Sequence, residues 1–204
     1  MVGEGVLLEC LDNPAVNEVL IVGRRHYDLT HPKLKELLVS DFPQIDKYGD
    51  QLRNYDACFY CAGVSVIGKS EAEYTKITYD TTMLFAKTVL QQNPNIVFNF
   101  VTGRSTDSTE KGKAMWARVK GKTENDLMKL GFKDQYNFRP GLMMPTKGQK
   151  SMKTAYKILA PILKPFMAKS TLTLKQVGLA MIHSVTKGYP KQVLEVDDIR
   201  KLSE

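Results

Sequence analysis

Short apolar runs alternate with helical patterns along this 204-residue chain, and that alternation restricts its fold more than any other feature. Apolar runs at 16–22 (VNEVLIV), 34–39, 56–62, 96–101, 136–139 and 193–196 predict strands, most of them closed by Gly or Pro. Between them, Ser70-Glu71-Ala72-Glu73 and Thr173-Leu174-Lys175-Gln176 have the form of capping boxes. The first opens a helix through Tyr74, Ile77, Thr81, Leu84 and Phe85 that stops at Asn93-Pro94; the second opens one through Val177, Met181 and Val185 to Gly188. A third helix over about 115–130 closes at Gly131. Strands and helices in this order predict an α/β fold, a mostly parallel sheet with helices on both faces. The length fits a single domain over 1–204.

Composition narrows the function classes. The net charge is +7, and Lys147, Lys150, Lys153, Lys157, Lys164 and Lys169 crowd one stretch. A solvated helix face is the simpler reading of 147–169, and contact with an anionic membrane surface is the sharper one. No nucleic-acid-binding signature accompanies these lysines, so nucleic acid is not an expected partner. Cys10, Cys58 and Cys61 give an odd count. Cys58 and Cys61 sit three apart on a predicted strand, so they point to opposite faces and suit a core better than a zinc or redox site. His26, His31 and His183 lack ligand spacing, and no metal is expected. No apolar run reaches the ~20 residues of a membrane span, and no secretory signal is visible, so a cytoplasmic location is expected.

In parallel α/β sheets, ligands bind beyond the carboxyl ends of the strands. Gly23-Arg24-Arg25 follows the first run, where arginines suit the 2′-phosphate of NADP and an acid would suit NAD. Asp41-Phe42 follows the second, with an acceptor and a flat group for an adenine. Cys61-Ala62-Gly63 follows the third, and its small residues permit close backbone approach. Ahead of them all, Gly3 and Gly5 precede a short apolar helix pattern stopped by Asp12-Asn13-Pro14. That arrangement predicts the back of a pyrophosphate loop at a helix N-terminus, with Met1-Val2-Gly3 its last residues. A first strand and the front of the loop are then expected upstream of Met1.

Thr102-Gly103-Arg104-Ser105 follows the 96–101 run, and Trp116 and Lys120 lie four apart on one helix face. Together with the stretches 22–25, 56–65, 102–108, 116–124 and 138–141, these residues make the chain resemble an atypical short-chain dehydrogenase/reductase. The resemblance is to the NAD(P)-binding nucleotide-sugar-epimerase-like and Tat-interacting-protein-like oxidoreductases. It implies a Rossmann-like, doubly wound sheet. It also implies an active site of a Ser or Thr, a Tyr, and a Lys four residues later. Lys120 matches the lysine, as a cofactor-binding and catalytic residue. Thr102 best matches the hydroxyl, with Ser105 second. Pro140 and Gly141 resemble the turn beside a nicotinamide, and 142–172 a short lid or substrate segment.

The tyrosine position holds Trp116. An indole N–H donates a hydrogen bond but does not shuttle a proton at neutral pH. Two functions therefore stand side by side. One is an NADP-dependent oxidoreductase or epimerase-like enzyme acting on a small molecule. The other is a non-catalytic NADPH-sensing or protein-interaction module.

Overall fold

The computed structural model describes residues 2–146, 148–149 and 170–204. Most of the basic 147–169 stretch, and most of the expected lid over 142–172, lie outside the described residues. The chain opens with helix α1 (Val2–Asp12), then strands β1 (Val19–Gly23) and β2 (Leu34–Leu38). A 3₁₀ segment (Phe42–Leu52) leads to β3 (Ala57–Tyr60). Helix α2 (Glu71–Thr75) passes through one π turn (Lys76–Asp80) directly into α3 (Thr81–Gln92), ahead of β4 (Val97–Val101). Helix α4 (Met115–Leu127), β5 (Asp134–Phe138) and β6 (Leu142–Met144) follow. The described chain resumes for β7 (Thr171–Thr173), α5 (Leu174–Thr186), β8 (Val193–Leu194) and α6 (Val196–Leu202).

Every strand pair is parallel. β1 pairs with β2, while β3, β4, β5 and β8 form a four-stranded sheet in that order; β6 and β7 make a small third ladder. Strand period 2 sorts β4 cleanly: Phe98 and Phe100 enter one core, Val97 and Val101 the other. One face is covered by α1, α5 and α6, through Val6, Cys10, Val177, Met181 and Ile199. The opposite face is covered by the 3₁₀ segment and α3, through Ile45, Leu52, Phe85 and Val89. Cys58 and Cys61 fall on opposite sides, as their spacing predicts.

Among the described residues, no ladder joins β1 to β3, so the single sheet suggested by alternation is interrupted there. The two sheets are nonetheless held side by side and in the same sense. Val19 joins the first core, and Leu20 and Val22 the second, so both layers run on across the interruption. At the amino ends, Tyr55 donates its hydroxyl to Glu18 at 3.0 Å. At the carboxyl ends, the first turn of α1 touches both sheets. Tyr27, just past β1, donates its hydroxyl to Glu4 at 2.8 Å. A Cβ on Gly3 would lie 3.3 Å from Cys61 Cβ, just past β3.

Some boundaries differ from the sequence expectation for local reasons. Gly3 lies inside the first turn of α1 rather than in a preceding loop. β1 begins later than expected because the Asn13-Pro14 turn extends to Val16, whose N–H donates to the Asn13 carbonyl at 3.2 Å. The last apolar run stops at Leu194, since Glu195 and Asp198 form a capping box that starts α6 at Val196. β6 and β7 are too short to leave a pattern; their pairing joins distant residues, Leu142 opposite Thr171.

The turn after β4 packs its backbone against α4 at Gly121. A Cβ there would fall 1.8 Å from the Asp107 carbonyl oxygen. Alanine in a helix interior ordinarily stabilises by about 1 kcal/mol over glycine. At position 121 the overlap with main chain dominates, and overpacking of this kind costs about 1–3 kcal/mol. Gly121→Ala therefore lowers the urea midpoint of unfolding; a raised midpoint would contradict the close approach.

Candidate functional site at the carboxyl ends of the strands

Parallel pairing puts the residues after β1, β2, β3, β4 and β5 at one edge, and α1 begins at that same edge. Arg24 and Arg25 follow β1 and are exposed. Neither has an ion-pair or hydrogen-bond partner among the described residues, whereas Arg118 is paired with Glu71 and Arg139 with Glu124. Beside them, Glu36 accepts from the Tyr27 N–H at 2.8 Å and bonds His26 Nδ1 at 2.6 Å. That hydrogen bond and the carboxylate charge raise the His26 pKa above its ordinary value.

Asp41 is exposed and accepts from Gln44 Nε2 at 2.9 Å. Phe42 is half-buried, its ring 6.3 Å from that of Phe85, so part of its apolar surface is already covered. Ala62 and Gly63 are exposed, and nothing lies within 4 Å of where a Gly63 Cβ would stand. Cys61 is half-buried against Gly3. Burial pushes the Cys61 and Cys10 thiols up to about 12, and the Cys58 thiol higher still. Pro140 is buried and Gly141 half-buried, with Ser170 backbone so close that a Gly141 Cβ would fall 2.1 Å from its carbonyl oxygen.

The centre of the edge is the turn after β4. Lys120 Nζ donates to the Thr102 carbonyl at 2.6 Å. It lies 6.0 Å from the centre of the half-buried Trp116 ring, so the helical spacing brings ammonium and indole together. Burial lowers the Lys120 pKa, opposed by the negative charge of Glu124. The Thr102 hydroxyl is engaged elsewhere. It donates to Glu124 Oε1 at 2.5 Å, with a longer contact of 3.2 Å to the Phe138 carbonyl. Ser105 is exposed, with a left-handed φ of 68° in the turn closed by the Thr106 hydroxyl on the Gly103 carbonyl at 2.8 Å.

Sequence reasoning missed the group behind this turn. Glu124 is fully buried. Its carboxylate accepts from Thr102 and, twice, from Arg139 Nε at 3.1 and 3.2 Å, and pairs closely with Arg139 Nη2. Arg139 also donates to Ser108 Oγ at 2.5 Å and to Glu195 Oε1 at 3.2 Å. Burial works against the guanidinium charge, but the bonds to Glu124 outweigh it and hold the Arg139 pKa above its ordinary value. The available signal was Glu124 four residues after Lys120, on the same helix face. Among the described residues, no cluster of His, Cys, Asp and Glu is arranged for a metal, and no helix is long and apolar enough to cross a membrane.

Comparison with solved structures decides the fold. Helicobacter pylori ADP-L-glycero-D-manno-heptose-6-epimerase superposes with a TM-score of 0.68 at 12% identity, over 96% of this chain and 73% of that one. The shared fold is an α/β arrangement of parallel strands with helices on both faces. WbmF of Bordetella bronchiseptica, solved with NAD+, matches with a TM-score of 0.63 at 14% identity, over 98% of this chain and 73% of WbmF. A Burkholderia cenocepacia short-chain dehydrogenase solved with NADP gives 0.62 at 11% identity, over 97% and 84%. In sequence, the chain is 23% identical to Protein HTATIP2 of Rattus norvegicus over 144 residues, 70% of this chain. The match spans 58% of the length of that relative. No family profile matches the chain. In open parallel α/β sheets generally, ligands bind beyond the carboxyl ends of the strands, the edge described above.

The thiols offer a direct check of how closed the layers are. All three cysteines should resist a thiol reagent such as Ellman's at pH 8 in the native protein and react on denaturation in guanidinium. Rapid labelling of Cys61 in the native state would mean that the contact between α1 and β3 opens readily.

Proposed function

We propose that the chain binds NADP(H) along the carboxyl edge of its parallel strands. On this reading it is an NADP-dependent oxidoreductase or nucleotide-sugar-epimerase-like enzyme acting on a small molecule. The observation that carries the proposal is the set of cationic donors on that one edge. Arg24 and Arg25 have no ion-pair or hydrogen-bond partner among the described residues, and Lys120 holds its ammonium toward the turn after β4. The residues fit the group. The two guanidiniums supply forked, permanently charged ligands for a 2′-phosphate. The first turn of α1 presents N–H groups beside the exposed Gly3, and open space at Gly63 allows close approach of a ligand. NADP(H), when bound, supplies hydride exchange at its nicotinamide ring. Lys120 would then bind the ribose hydroxyls, and Pro140 and Gly141 would lie beside the ring.

The solved NAD+ and NADP complexes of the same fold support a nicotinamide dinucleotide as the ligand. The arginines favour NADP within that class. If they do bind the 2′-phosphate, Arg24→Ala and Arg25→Ala each weaken NADPH affinity by about tenfold or more and leave NADH affinity unchanged. That size follows from the ~1.5–3 kcal/mol of a hydrogen bond to a charged group. The single tryptophan gives the readout, because Trp116 lies near the proposed nicotinamide site and its emission should be quenched as NADPH binds. Equal losses for NADPH and NADH would remove the arginines from the 2′-phosphate.

A second reading rests on Trp116 itself: a module that binds NADPH and reports it without turnover. An indole at the proton-transfer position supports it. A panel of carbonyl substrates and nucleotide sugars separates the two. Consumption of NADPH or epimerisation that disappears in Lys120→Ala supports the enzyme, and tight NADPH binding with no conversion supports the sensor.

A further inference from the structure

Resting on the reading of Lys120 as the cofactor-facing lysine, we infer that the buried Glu124–Arg139 pair is a positioning device for its ammonium, acting through Thr102. The hydrogen-bonded link between Lys120 and the pair is the Thr102 peptide. Its carbonyl receives Lys120 Nζ at 2.6 Å, and its N–H donates to the Phe138 carbonyl at 2.9 Å. Its hydroxyl donates to Glu124 at 2.5 Å. Thr102 is thus held on three sides, and the direction of its carbonyl is fixed by the partner of its hydroxyl. Glu124 stays in place because Arg139 meets it with Nε and Nη2 together, and Arg139 is held in turn by Ser108 and Glu195.

The charged groups around this turn are Lys120 and Glu124 from α4, Arg139 past β5, and Glu195 ahead of α6. Glu124 also supplies the negative charge that opposes loss of the Lys120 proton in its buried position. The Thr102 hydroxyl, fully engaged, serves this arrangement rather than a substrate. A buried carboxylate satisfied on every side, and joined to the lysine by hydrogen bonds only through one peptide, suits a positioning residue.

The test uses the full chain without cofactor. Lysine ¹³Cε NMR signals are followed with pH, and Lys120 is assigned by its loss in Lys120→Arg. In Thr102→Val, which keeps the shape but not the hydroxyl, the Lys120 ammonium should titrate at lower pH, its acid dissociation rising by about tenfold. Glu124→Gln should shift it the same way, and Thr102→Ser should restore the native titration. Because Glu124→Gln leaves the buried Arg139 with only the more distant Glu195 as counter-charge and can fail to fold, the paired swap Glu124→Leu with Arg139→Met removes both charges at similar volume. Thermal melts identify which variants are folded. NADPH affinity is then measured by Trp116 quenching and should fall about tenfold in folded variants with a shifted Lys120. A native Lys120 titration in folded Thr102→Val and in the folded paired swap overturns the proposal. Failure of the wild-type chain to bind NADP(H) would instead overturn the cofactor reading, and the titration would still decide the role of Glu124.

Discussion

The buried ion pair of Glu124 with Arg139 is the constraint on which the rest of the site depends. Desolvating a carboxylate and a guanidinium costs several kcal/mol per ion, recovered only when geometry and further hydrogen bonds are favourable. Both conditions are met: Thr102, Ser108 and Glu195 take the remaining valences of the pair. The consequence is architectural. Glu124 comes from α4, Arg139 from the end of β5, Thr102 from the end of β4 and Glu195 from the cap of α6. Four elements that carry the edge of the sheet are joined at one buried point. Removing the Arg139 charge strands Glu124, and removing Glu124 leaves Arg139 with Glu195 alone, so the residue types at 124 and 139 are coupled. Such a junction fixes positions more than it adds stability, since apolar replacements of equal volume often fold as well.

A second junction lies at the start of α1. The two sheets share cores on both faces but no ladder between β1 and β3 among the described residues. Their relative placement therefore falls to the shared cores and to contacts outside the ladders: Glu4 with Tyr27 and the close approach of the Gly3 backbone to Cys61 at the carboxyl edge, Glu18 with Tyr55 at the amino edge. By strand alternation, the backbone groups of β1 and β3 that point away from β2 and β4 face one another across the interruption. Val19 donates its N–H toward β2 and Gly23 accepts from Val39, so Leu20 and Val22 supply the facing groups of β1. All five residues of β1 are only half-buried, in contrast to the fully buried Val97–Phe100 of β4. The arginine side of the candidate site is thus carried by the less enclosed half of the fold, and the lysine side by the more enclosed half.

Much of the fold was legible in the sequence because its signals are local. The run at 96–101, bounded by Pro94 and Gly103, is buried on both faces and cannot be mistaken for a surface element. Ser70 and Thr173 close their capping boxes as the sequence implies. What escaped depends on partners far along the chain. β6 takes its strand character from residues near 171, and the 3₁₀ segment keeps Ile45 and Leu52 under a sheet that sequence does not place above it. In the site, Trp116 and Lys120 were legible as a pair because helical spacing alone brings them together. Glu124 has the same spacing from Lys120 and resembles a solvated i,i+4 partner. Only its complete burial under Arg139 reveals a different task, and burial is a property of the whole fold. Asp41 and Phe42 stand at a strand end as their positions imply, and what sequence did not show is that Gln44 and Phe85 lie against them.

The presence of Trp116 beside Lys120 also limits what chemistry this edge can carry. A phenol four residues before a buried ammonium gains acidity from it, and that coupling is what makes a tyrosine useful for proton transfer. An indole gains no comparable acidity, so the ammonium 6.0 Å from its ring acts on it mainly through attraction to the π face. Three phenols among the described residues are held away from such a role. Tyr60 is enclosed, and burial pushes its hydroxyl up to about 12. Tyr79 donates to Asp126, with burial and that carboxylate both raising its pKa. Tyr74 is buried as well, and burial raises its pKa too. Lys120 is a group that the fold itself tunes: burial lowers its pKa, and the negative charge of Glu124 opposes that lowering.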